Sequence, residues 1–82
     1  MRLKAEQTNY GFILSNDYQK YVFNRTKQAG SKVDYYLKQV KPIECYISGM
    51  FKQKDNSYLG KTKDNKRVKL CIDNGFCTLF IS

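Results

Sequence analysis

The chain has no histidine, no tryptophan and a single proline, Pro42, in 82 residues. Without histidine it lacks the one side chain whose ordinary titration spans neutral pH, and with it the commonest general base. Its three cysteines, Cys45, Cys71 and Cys77, form no C-x-x-C pair. With no histidine beside them, a common structural zinc site is excluded. An odd cysteine count without paired spacing also argues against a disulfide framework and for reduced, half-buried thiols. The seven carboxylates are isolated along the chain, no serine or cysteine has a candidate activating partner, and no glycine-rich phosphate loop is present. The expectation is a protein that is not an enzyme and that holds neither cofactor nor metal. No apolar run approaches the ~20 residues of a membrane span. The opening "MRLKAEQ" turns polar within three residues, unlike a signal peptide. A cytoplasmic protein with no membrane contact is expected.

What is abundant is positive charge. Fifteen Lys and Arg stand against seven Asp and Glu, a net +8. On so short a chain such a field favours polyanions: RNA, single-stranded DNA or an acidic protein surface. The cations are scattered through the chain, so the charge belongs to the folded domain. Residues 1–82 make one domain with room for one modest core.

Most of the chain reads as strand. Leu3 and Ala5 alternate with Arg2, Lys4 and Glu6 in a first short strand, and residues 10–14 form a second. "SND" (residues 15–17) is turn chemistry, because Asn and Asp bond their own backbone. A third strand over residues 20–25 completes a meander. In residues 31–40 the period changes. Val33, Tyr36, Leu37 and Val40 fall at i, i+3, i+4 and i+7, Ser31 and Asp34 resemble a capping box, and Pro42 stops the run. The spacing predicts one short helix there. Residues 43–51 return to strand, with Gly49 as a candidate bulge. "SYLGKT" is a short strand and "KDNK" a turn. "RVKLCIDNGFCTLFIS" is a β-hairpin, since Asn74-Gly75 suits a type I′ turn with positive φ at both central residues. That turn sets Asp73 opposite Phe76, Ile72 opposite Cys77, Leu70 opposite Leu79 and Val68 opposite Ile81. One face is then aliphatic, while Lys69, Cys71, Phe76, Thr78 and Phe80 share the other.

Three strands, a helix and further strands follow the element order of a five-stranded OB barrel, here with an extra C-terminal hairpin. The fold expected is therefore mainly β, a small OB-like antiparallel barrel with one short helix between strands three and four.

Two motifs give this order a family likeness. "TNYGFI" (residues 8–13) matches the K-G-[FY]-G-F-I run of the cold-shock domain at Tyr10, Gly11, Phe12 and Ile13. "YVFNRT" (residues 21–26) matches its V-F-V-H-F run at Val22 and Phe23, at the family's usual separation. The first half of the chain thus resembles the cold-shock domain, an OB-fold family that binds single-stranded RNA and DNA. Arg25 and Thr26 stand where that family has His and Phe, and Leu3 and Lys4 where it has a Trp-Phe pair. The resemblance implies sequence-tolerant base stacking on an aromatic-basic sheet face. With Ile13 and Val22 turned inward, strand alternation would turn Tyr10, Phe12, Tyr21, Phe23 and Arg25 outward. The nucleic-acid contacts expected are these five with Lys4, Lys20, Lys61, Lys63 and Lys66. The last three belong to a cation-rich stretch from Lys52 to Lys69 that is either a solvated loop face or a phosphate track. A second function stays open: a small basic interaction protein, such as a phage-type inhibitor, using the same face on an acidic protein partner. Oligomeric state is not legible.

Overall fold

The computed structural model describes residues 1–27 and 29–82. Among these the chain forms eight strands and no helix: β1 (Arg2–Gln7), β2 (Gly11–Ser15), β3 (Lys20–Arg25), β4 (Tyr35–Lys41), β5 (Cys45–Lys52), β6 (Tyr58–Lys61), β7 (Arg67–Asp73) and β8 (Phe76–Ile81). Each strand pairs antiparallel with the next, and β1 closes on β8 through Arg2–Thr78, Leu3–Cys77 and Lys4–Phe76. Closure leaves no strand edge unpaired. The chain is thus a small closed antiparallel barrel, as expected, but its up-and-down order differs from the Greek-key order of an OB barrel.

The helix expected over residues 31–40 is replaced by β4. Its 3.6-residue spacing was real, but Tyr and Val favour an extended backbone, and strands on both sides supply ladder partners. Leu37 is buried inside the barrel while Tyr36 and Lys38 lie outside, a period of two. The apparent capping box does other work. Ser31 Oγ accepts a hydrogen bond from the Val33 N–H, and the Asp34 carboxylate accepts one from the Lys52 N–H at 2.8 Å, fastening the segment before β4 to β5. The bulge expected at Gly49 also falls elsewhere. Gly49 pairs regularly with Tyr36 and Lys61, and the register slips between Leu37 and Lys38, with Ile47 as the extra residue.

The C-terminal hairpin has the expected register, pair for pair. Asn74 and Gly75 both carry positive φ, 51° and 80°, as the type I′ turn requires. Its aliphatic face, Val68, Leu70, Cys77 and Leu79, lies in the core with Leu3, Leu14, Leu37 and Met50.

The core is completed by aromatics. The Phe23 ring stacks on Tyr35 at 4.7 Å, and Tyr58 meets both edge-on at 4.8 and 5.0 Å. An eight-stranded barrel is just wide enough for side chains to fill it, so bulky rings belong there. Burial, aided by nearby Tyr35 and Asp34, pushes the Tyr58 phenol up to about 12.

Candidate functional site

Because β2 and β3 are register-locked, one choice of facing settles both. Phe12 pairs with Phe23, and Ile13 with Val22. In the barrel Leu14, Tyr21 and Phe23 are buried and Phe12 packs against the core. Ile13, Val22 and Asn24 take the outer side. The expected outward platform is therefore inverted. A shift of one residue in facing moves every side chain to the other surface, and the set with Phe12, Leu14, Tyr21 and Phe23 filled the interior. Phe23 and Tyr21 are core residues, and Phe12 is half so.

The remaining candidates fall in separate places. Tyr10 and Arg25 come together at one barrel end, where the Arg25 N–H donates to the Tyr10 carbonyl at 2.8 Å. Lys20 lies apart, paired with Ser15 and Lys41. Lys4, on the outer side of β1, is the cross-strand partner of Phe76, and the neighbouring Arg2 guanidinium sits 4.3 Å above the Phe76 ring. Lys63 and Lys66 are exposed on the turn between β6 and β7, closed by the Thr62 N–H to Lys66 carbonyl bond of 2.9 Å. Lys61, at the end of β6, belongs to the surface described next.

A broad exposed surface carrying two aromatic rings is on the other half of the barrel. Phe51 of β5 pairs with Leu59 of β6, Leu59 with Lys69 of β7, and Lys69 with Phe80 of β8. These four outward side chains form a single row across four adjacent strands. Beside it runs a second row, Lys61 and Arg67, with Arg67 held to Ser82 by a reciprocal pair of backbone hydrogen bonds of 3.0 Å. The two rows line an open groove of about 610 Å³. Phe80 is 55% exposed, Phe51 43% and Leu59 41%. Among the described residues, those lining the groove include three cations and no Asp or Glu side chain. Along β8 the same surface continues past Thr78 to Phe76, with Arg2 and Lys4 beside it.

Contiguous apolar surface of this kind, kept in water beside Lys61, Arg67 and Lys69, is a candidate interaction site. Two identical copies meeting through it would set Lys61, Arg67 and Lys69 against the same cations, which is repulsive. Hairpin alternation had already put Lys69, Phe76 and Phe80 on one face. Phe51 and Leu59 were missed because nothing in residues 43–61 showed that β5 and β6 would lie alongside that hairpin in matching phase.

Among the described residues, no three His, Cys, Asp or Glu side chains gather as a metal site would require, and no helix is long and apolar enough to cross a membrane. Comparison with known protein families, with characterised proteins and with solved structures gives no match to this chain.

Proposed function

We propose that this protein binds single-stranded RNA or DNA on the outer face of β5–β8, stacking bases on Phe51 and Phe80 and holding phosphates with Lys61, Arg67 and Lys69. The observation that supports this most is the Phe51–Leu59–Lys69–Phe80 row, in which rings and cations are direct cross-strand neighbours. Every base has a π-face, so such rings accept any sequence at ~1–3 kcal/mol per stacked base. The lysines and the arginine then follow the backbone. A duplex offers phosphates to the cations but keeps its bases stacked away from the rings. A cytoplasmic site of action accords with this reading. An acidic protein could engage the same cations and pack its own apolar side chains on the rings.

Fluorescence anisotropy with matched single-stranded and duplex oligonucleotides tests the proposal. The single strand should bind more tightly, and Phe51→Ala and Phe80→Ala should each weaken it by about 1–3 kcal/mol. Equal affinity for both nucleic acids would reduce the interaction to electrostatics. No affinity for either would leave an acidic protein surface as the occupant.

A further inference from the structure

A second basic cluster lies at the barrel end where β2 meets β3. Tyr10, Asn24, Arg25, Lys27 and Tyr36 enclose a recess of about 260 Å³. Tyr10 is 51% exposed, and the Lys27 ammonium lies 3.7 Å from the centre of its ring. Asn24 Nδ2 donates to the Tyr36 hydroxyl at 3.4 Å. Two cations and no carboxylate line the recess among the described residues. The nearest acid along the chain, Asp34, is turned away to the Lys52 N–H. Held on a ring rather than on a carboxylate, the Lys27 ammonium keeps its attraction for an external anion.

The sheet register connects this recess to the aromatic groove. Asn24 pairs with Tyr36, Tyr36 with Gly49, Gly49 with Lys61, and Lys61 with Arg67. All five positions face outward in one continuous row. At its middle, a Cβ on Gly49 would come within 2.6 Å of Val33 Cγ1, so only glycine lets Val33 lie flat against β5. The row thus has a basic aromatic site at each end and a low apolar step between. Four steps of strand spacing, ~4.8 Å each, make about 19 Å around the barrel.

We infer that the recess is a second contact site on the same single strand, in which Arg25 and Lys27 hold a phosphodiester of the chain that occupies the groove. This rests on the reading given under Proposed function. At ~3.4 Å per stacked nucleotide, about six nucleotides at most separate the two contacts. A strand of about four nucleotides, with only three internal phosphates, reaches one site, and one well beyond six reaches both.

The test uses the whole protein with oligothymidylates of about four and about twelve nucleotides, within the site sizes usual for small barrels, across a series of salt concentrations. For the double variant R25Q/K27Q, loss of two phosphate contacts should flatten the slope of log affinity against log salt by about 1.4 on the longer strand. On the shorter strand the slope should stay at the parent value. Both side chains are at the surface, and circular dichroism checks that the barrel is intact. An unchanged slope on the longer strand would overturn the inference, as would equal loss on both lengths, which makes the recess the primary site. Saturation of the Lys27 and Tyr10 nuclear magnetic resonance shifts by inorganic phosphate alone would also overturn it, by making the recess a free-anion site. If neither oligonucleotide binds the parent, the reading beneath the inference falls. If binding depends on Phe80 but not on Arg25 and Lys27, that reading survives and only the second site is lost.

Discussion

The β2–β3 and β7–β8 hairpins carry much the same materials and use them in opposite ways. Each places aromatic residues at alternate positions among aliphatic ones. In β2–β3 the rings of Phe12, Tyr21 and Phe23 go inward, while Ile13 and Val22 go outward. In β7–β8 it is Val68, Leu70, Cys77 and Leu79 that go inward, and Phe76 and Phe80 remain in water. The companions on each face explain the difference. Ser15, Lys20 and Asn24 share the facing of Ile13 and Val22, and burying them would cost more than exposing two aliphatic side chains. In β7–β8 the polar companions Lys69, Asp73 and Thr78 share the facing of the rings. An aromatic side chain is therefore not a core residue or a ligand platform by type. The polar residues in phase with it decide its side.

Truncation of one ring from each hairpin would break this comparison most directly. Phe23→Ala should destabilise the barrel by about 3–5 kcal/mol, because it empties the centre of the Phe23–Tyr35–Tyr58 cluster. Phe80→Ala should leave the denaturation midpoint close to that of the parent and act on ligand binding instead. Urea titrations of the two variants provide the measurement, and similar midpoints for both would mean that the facings are wrongly described.

A smaller effect is expected at the turn of the second hairpin. Gly75 sits at φ 80°, so Gly75→Ala forces a side chain into the left-handed region at a cost of roughly 1–2 kcal/mol. A loss visible in the same titration, with single-strand affinity retained under native conditions, would separate the hairpin's structural role from its binding face.

A separate effect appears at alkaline pH and sharpens the contrast between inner and outer groups. Burial pushes the Cys77 thiol up from 9.0 to about 12, and Tyr58 rises from 10.0 to about 12. Both groups hold their protons more tightly when folded, so their effect on stability is nil below the unfolded values. Stability then declines from about pH 9 towards 12 as the unfolded chain ionises first. Melts across that range should show falling midpoints. A thiol reagent at neutral pH should modify the exposed Cys45 readily and leave the buried Cys77 unmodified until the barrel opens.

Much of the fold was legible in the chain because its signals are local. The Lys20–Arg25 strand, the Asn74-Gly75 turn and the pairing of Arg67–Asp73 with Phe76–Ile81 each depend on a few adjacent residues whose backbone preferences agree. The stretch over residues 31–40 reads as a helix because Val33, Tyr36, Leu37 and Val40 fit a 3.6-residue period, although Tyr and Val also suit an extended backbone. Only pairing with the neighbouring strands β3 and β5 favours the extended one. The candidate site was legible in composition but not in position. Positive charge and aromatic rings were evident, and the hairpin put Lys69, Phe76 and Phe80 on one side. Lys61 was named as a contact, yet its neighbours Phe51 and Leu59 were not.

By itself, then, the sequence determined a small basic β-protein without histidine chemistry, the register of its last hairpin and the alternation within each strand. Tertiary structure alone decided that residues 31–40 would be a strand, and that β5 and β6 would carry Phe51, Leu59 and Lys61 up to Phe80, Lys69 and Arg67. The reason is physical. Alternation is set residue by residue by the backbone, whereas inside and outside exist only once the barrel closes and its interior has a volume to be filled.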